Sequence, residues 1–206
     1  MTRASYHHGN LREAILKTAL RLARANGARA VVAREVAREV GVASAAIYRH
    51  FDDIEHLRAE VSRLAREQLA RTMIAAREDS RGSRDRRVRA VRRFTATGRA
   101  YVQFAIDEPG LFSIAFADPG GHPETADADD PSAWDVLNAA LDDLVDVGAL
   151  DPALRQEAPL VAWTSVHGLA CLVTSAQVPP QAEVHAMLDV VLRGTHRALG
   201  ISGGSL

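Results

Sequence analysis

Two short stretches of this 206-residue chain carry side chains whose types and spacing suit chemistry. The first is Ser44-Ala45-Ala46-Ile47-Tyr48-Arg49-His50. Read as a helix, it is slim at its start, so its backbone could approach the base edges of a DNA major groove. Ser44 suits a base edge or a phosphate, and Ala45 and Ala46 suit thymine methyls. Arg49 suits a guanine or a phosphate, while Tyr48 and His50 carry donors for phosphate oxygens. Ile47 and Phe51, at i and i+4, would face the other way and anchor the segment. The plainer reading makes Tyr48 an amphipathic core residue and His50 a structural hydrogen bonder.

The second stretch holds His167 and Cys171, which share a helix face at i and i+4 and could form a nucleophile–base pair. No third orienting group, oxyanion loop or glycine-rich phosphate loop accompanies them, so a structural thiol beside a satisfied histidine is expected, with no catalytic residue and no enzyme. The chain has a single cysteine, which excludes an intramolecular disulfide and any multi-cysteine metal site. His7 and His8, adjacent and without further ligands, make a weak metal site. No metal and no cofactor are expected.

Helical periodicity runs through almost the whole chain. It predicts helices from Asn10 to the stop at Gly27 and over residues 34–40, 44–50, 54–78, 84–107, 111–116, 132–147, 152–176 and 181–199. The second and third are short and joined by the turn Gly41-Val42-Ala43, a helix-turn-helix pattern. Arg34 and Arg38 lie at i and i+4 on its first helix, where they face phosphates or else form weak surface pairs with Glu35 or Glu39. Nothing alternates at period two and no repeat is visible. The fold class is all-α: an N-terminal three-helix helix-turn-helix domain plus a C-terminal helical bundle, about nine helices in all. The expected divisions are residues 1–53, 54–200 and a disordered tail at 201–206, with a further mobile loop over 118–130. Residues 158–182 carry no Asp, Glu, Lys or Arg, yet Pro159, Thr164, His167, Gly168 and Gln177 make them too polar for lipid. A helix buried on all sides in protein is expected instead. With no apolar segment at the start, the chain is expected in the cytoplasm.

The formal net charge is only −1, which argues against a uniformly basic coat protein, but the charges are sorted along the chain. Residues 1–51 hold nine Lys/Arg against three Glu, residues 52–99 thirteen Arg against eight acids, and residues 100–206 three Arg against fifteen acids. A basic front and an acidic back point to a polyanion at one end only.

The residues Val36-Ala37, Gly41-Val42, Ile47-Tyr48-Arg49-His50-Phe51 and Leu57 resemble the helix-turn-helix of the tetracycline-repressor (TetR) family. Tyr6-His7-His8-Gly9-Asn10-Leu11-Arg12 resembles the opening of one branch of it, and Trp163 with His167-Gly168-Leu169 resembles a ligand-domain signature of that branch. The resemblance implies an all-helical homodimer that binds an operator and lets go when it takes up a small molecule. The chain departs from the family at three places. Val32 and Ala43 stand where capping Ser or Thr are usual, and Ile54 replaces a Lys that would meet a phosphate. A lost cap typically costs about 1 kcal/mol.

The back half offers an apolar set with a few polar groups: Tyr101, Phe104, Phe112, Phe116, Trp134, Leu137, Trp163, Thr164 and His167. Such a set is either plain core or the wall of a small-molecule pocket. The last helix carries a stripe of Val184, Leu188, Val191 and Thr195, which with Leu160 and Gly168 of the uncharged helix suits a twofold interface. Double-stranded operator DNA, a small-molecule effector of unidentified structure and a second copy of the chain are thus the expected partners, and a membrane is not. The reading is a ligand-responsive repressor. The alternatives are an activator, a ligand-independent DNA-binding protein and, least supported, an enzyme.

Overall fold

The computed structural model describes residues 4–80, 83–117, 131–175 and 181–201. Among them are eight α-helices, three short 3-10 segments and no strand, so the all-α expectation holds. The helices are α1 (Ala4–Asn26), α2 (Ala33–Val40), α3 (Ile54–Asp79), α4 (Arg86–Asp107), α5 (Pro109–Ala115), α6 (Ala133–Asp146), α7 (Ala158–Thr174) and α8 (Gln181–Ala198). The 3-10 segments are Ala28–Ala30, Ser44–Arg49 and Pro152–Leu154. The expected loop over 118–130, the side chains of Arg3 and Tyr6 to His8, and the tail beyond Ile201 lie outside the described residues. Ile201 itself, expected in that tail, is buried and its N–H donates to the His196 carbonyl at 2.9 Å.

The chain divides into two compact units, Met1–Arg66 with Glu108–His122, and Glu67–Asp107 with Pro123–Leu206. Helix α3 gives its first residues to one and its remainder to the other. In the first unit the apolar faces of α1, α2, α3 and α5 bury Ile15, Ala19, Val36, Ile47, Phe51, Leu57, Val61 and Leu111. Burial of this kind, at about 25 cal/mol per Å² of apolar surface, is what holds short helices that would not persist alone. Helix α5 sits so close to the end of α1 that a β-carbon on Gly110 would lie 2.3 Å from the Ala23 carbonyl oxygen. Arg24 Nε donates to Glu108 at 2.9 Å, and Ser62 Oγ donates to the Ala115 carbonyl at 3.3 Å.

The second unit is a helical bundle in which α4 packs on α6 and α7, and α7 on α8. Its core includes Val91, Phe94, Leu137, Leu141, Leu144, Leu150 and Ala162. Helix α6 starts from a capping box: Ser132 Oγ accepts from the Asp135 N–H, and the Asp135 carboxylate accepts from the Ser132 N–H. Arg77 donates to Asp143 at 2.8 Å and Arg155 to Asp142 at 2.7 Å, joining neighbouring helices at their edges.

Helix α7 corrects one expectation. The predicted helix over 152–176 is a 3-10 segment followed by a shorter α-helix with Pro159 in its first turn. It is not buried on all sides either. Leu160 and Leu172 are exposed, and Thr164, Gly168 and Cys171 share their face. Absence of charge is compatible with a face left open within one chain, and sequence pattern alone does not separate the two cases.

Candidate nucleic-acid interface and effector pocket

Helix α2 begins after Val32, whose extended backbone (φ −125°, ψ 142°) has the geometry of an N-cap but no oxygen to serve as one. It ends at Gly41, whose φ of 82° is the left-handed conformation that glycine adopts without strain. The Gly41 and Val42 N–H groups both donate to the Ala37 carbonyl, turning the chain sharply. Ala43 then leads into Ser44–Arg49 with cap-like backbone angles and again no capping side chain. The segment winds as a 3-10 helix, where a second short helix of ordinary type was expected. A six-residue segment without a capping side chain gains little from α-helical bonds, and 3-10 winding is common in pieces this short.

Its sides are sharply divided. Ile47 and Phe51 are fully buried, and the Arg12 guanidinium lies 5.0 Å from the Phe51 ring centroid. Ser44, Ala45, Tyr48 and Arg49 are exposed, Tyr48 to 52%, while Ala46 and His50 are half-buried. Neither the Tyr48 hydroxyl nor the Arg49 guanidinium has a hydrogen-bonding or ionic partner among the described residues. An amphipathic core role for Tyr48 does not fit that exposure. Arg34 and Arg38 are also exposed, but each meets acid: Arg34 lies 3.5 Å from Glu35, and Arg38 Nε donates to Glu35 at 3.0 Å. Arg38 also approaches Glu39, which pairs with Arg21. Exposed pairs of this kind hold their partners weakly and can be exchanged for phosphate.

Helix α3 starts in place of the missing lysine with Ile54, and Asp53 caps it by accepting from the His56 N–H at 2.7 Å. Arg58 Nε donates to the Val31 carbonyl at 2.9 Å, fixing the chain just ahead of α2. This anchor was not foreseen. Local pattern carries no trace of an arginine that reaches a backbone carbonyl 27 residues away.

In the second unit, α4 and α7 bring Tyr101 and Trp163 into edge-on contact at 5.1 Å between centroids, and Trp134 meets Trp163 edge-on at 5.7 Å. Tyr101 Oη and His167 Nδ1 share a hydrogen bond at 2.7 Å, and His167 Nε2 lies 3.4 Å from Cys171 Sγ. Burial holds the Tyr101 hydroxyl well above the usual phenol range, lowers the His167 pKa and raises that of the Cys171 thiol. A thiol pushed up by burial is a poor nucleophile at neutral pH.

A small cavity of about 20 Å³ lies beside this cluster, lined by Tyr101, Trp163 and Leu137 together with Phe94, Gly98, Val166 and Leu192. The other expected pocket residues fall elsewhere. Phe104 is core, Trp134 and His167 pack behind the lining, and Thr164 is exposed with its hydroxyl donating to the Leu160 carbonyl. Phe112 and Phe116 belong to the first unit, 4.9 Å apart, and neither lines the cavity. Of the expected interface residues, Leu160 and Gly168 are exposed and Val191 half-buried. Val184, Leu188 and Thr195 are buried in their own chain, so their stripe is core and cannot also be a surface. Val190 is an exposed large apolar residue of α8. Among the described residues no cluster could hold a metal ion, and no helix is long and apolar enough to cross a membrane.

Comparison with known proteins finds relatives for both ends of the chain. Residues 15–61 match the family described as bacterial regulatory proteins, tetR family, and residues 94–195 match the tetracyclin repressor-like C-terminal domain. Similar solved structures include a protein of unknown function from Rhodococcus sp. RHA1, 27% identical with TM-score 0.70 over 93% of this chain and 98% of that one. A putative TetR-family transcriptional regulator from Vibrio parahaemolyticus is 18% identical, with TM-score 0.61 over 93% and 99%. The TetR-family regulator PfmR from Thermus thermophilus is 21% identical, with TM-score 0.53 over 87% and 97%. No curated protein matches. With both halves matched, the chain belongs to the TetR family: it is a transcriptional regulator with a helix-turn-helix domain in front and a ligand-binding type of helical domain behind. Regulators of this family are not enzymes, which leaves the His167–Cys171 contact without a catalytic role.

Proposed function

We propose that the chain is a repressor that binds a palindromic operator as a homodimer and releases it when an effector occupies the second unit's cavity. The observation that carries the reading is the outward row Ser44, Ala45, Tyr48 and Arg49, held by the buried pair Ile47 and Phe51, with no partner for Tyr48 or Arg49 among the described residues. Arg34, Arg38, Ala46 and His50 complete the DNA face. The exposed face of α7, Leu160, Thr164, Gly168 and Leu172, with Val190 and half-buried Val191 of α8, is where the second copy docks. Two recognition segments one turn of DNA apart, roughly 34–36 Å, then read the two halves of a palindrome.

The effector acts by differential affinity for two dimer conformations, the only way a ligand can shift such an equilibrium. Helix α3, shared between the units, is the element through which occupancy is felt. The resemblance at Trp163, His167 and Gly168 supports placement in the family branch with that ligand-domain signature, and a regulator of this kind works in the cytoplasm beside its DNA. The reading is tested by anisotropy of labelled duplex from upstream of its own coding region, with a compound collection added. Sequence-selective binding relieved by at least one compound supports it. Binding of random duplex with equal affinity, unrelieved by any compound, would overturn it.

A further inference from the structure

The cavity beside Tyr101 and Trp163 is small and chemically one-sided, and both properties constrain what can enter. None of the residues lining it is Asp, Glu, Lys, Arg or His. The hydroxyl groups it does contain are already hydrogen-bonded. Thr97 Oγ1 donates to the Arg93 carbonyl at 2.9 Å, Thr195 Oγ1 to the Val191 carbonyl at 3.0 Å, and Tyr101 Oη is bound to His167. A carboxylate or ammonium placed here would lose its hydration and find no counter-charge, a penalty large enough to exclude it. The walls are aromatic and branched aliphatic, with flexible Met73 among them.

Size points to how it opens. The volume is only about 20 Å³. That leaves room for little more than one water, so any effector must displace a side chain. Gly98 marks the place. A β-carbon there would lie 2.9 Å from Leu192 Cδ2 and 3.5 Å from Val166 Cγ1. The end of the Leu192 side chain thus fills the notch left by the glycine and acts as a plug that rotation can withdraw. From these observations we infer that the effector is an uncharged, predominantly apolar molecule with a planar or branched body, seated where Leu192 now covers Gly98. The inference rests on the ligand-responsive reading above and adds the chemistry of the ligand and the side chain that gates it.

Two dyes of the same anilinonaphthalene skeleton test it on the full-length protein. N-phenylnaphthylamine is neutral, and anilinonaphthalene sulfonate carries a fixed negative charge. The neutral dye is expected to quench tryptophan emission and bind at least about tenfold more tightly than the sulfonate. Leu192→Ala, which removes the plug, should tighten the neutral dye several-fold, and Gly98→Ala, which fills the notch, should weaken it about tenfold, the scale of one methyl group in an apolar pocket. The opposed directions keep the test informative even if one variant folds poorly. Equal affinity for the sulfonate with the same response to both substitutions, or a neutral dye that responds to neither, overturns the inference.

The two readings fail separately. A charged compound that releases operator DNA from the wild-type protein but not from Gly98→Ala overturns the neutral chemistry and leaves the ligand-responsive regulator standing. Neutral-dye binding in the predicted order, with the same operator affinity in dye-saturated and dye-free protein, supports the chemistry and counts against ligand responsiveness.

Discussion

The Cδ2 methyl of Leu192 occupies the space that a β-carbon on Gly98 would need, 2.9 Å away. The neighbour is the end of a flexible side chain, which can swing aside, and alanine favours a helix interior by about 1 kcal/mol over glycine. Gly98→Ala is therefore expected to leave the thermal midpoint unchanged or slightly raised, the new methyl taking the notch from which Leu192 is displaced. Calorimetry on the full chain checks this.

Gly110 presents the opposite case. An alanine β-carbon there would meet the carbonyl oxygens of Ala23 and Arg24 at 2.3 and 2.4 Å. These are backbone atoms of α1 and cannot rotate away. Gly110→Ala is expected to lose about 1–3 kcal/mol, the range for overpacking a tight contact, measured by urea denaturation.

The bare cap at Ala43 invites a gain. Its backbone has φ −71° and ψ 146°. An N-cap serine adopts such angles, so Ala43→Ser should stabilise the first unit by about 1 kcal/mol. A higher denaturant midpoint with an unchanged slope is the expected result.

Acid should weaken the second unit through His196. It is buried, its Nε2 lies 3.2 Å from Thr95 Oγ1, and that hydroxyl already donates to the Val91 carbonyl, so the ring nitrogen is the donor. Burial lowers its pKa, as it does for His167. The folded state then binds fewer protons than the unfolded chain, whose histidines titrate near ~6.5. Stability is complete above that pH and declines as pH falls through it. Thermal midpoints between pH 8 and 5 should fall on the acid side, and His196→Gln should flatten the fall.

The apolar face of α7 sets a prediction about assembly. Leu160 is 64% exposed within one chain. A second copy would bury it, so Leu160→Glu should convert the dimer to a monomer by light scattering at micromolar concentration. The monomer should retain its helical content and lose preference for a palindrome over a single half-site.

Much of this was legible because local pattern determines it. Ile47 and Phe51 at i and i+4 give the buried side of the recognition segment, and Gly41 gives the turn ahead of it. Other features depend on relations that spacing does not encode. Val184, Leu188 and Thr195 form an apolar stripe that would look the same facing the chain's own core or a partner, and the structure places it in the core. Phe112 and Phe116 follow soon after Tyr101 and Phe104 in sequence, yet α5 packs on α1 in the other unit. The 3-10 winding of Ser44–Arg49 was foreshadowed only by the missing cap at Ala43. The plug at Gly98 needed coordinates, since Leu192 lies on α8 and the glycine on α4.

DNA readout at this face rests on Tyr48 and Arg49, which are exposed and have no partner among the described residues. It is tested most directly by anisotropy of the labelled upstream duplex across a salt series, with wild type, Tyr48→Ala and Arg49→Ala. Selective binding that weakens steeply with salt is expected. Both variants should lose about 1–3 kcal/mol of affinity with unchanged thermal midpoints, because neither side chain supports the fold. Operator binding that is flat with salt and indifferent to both substitutions would contradict it.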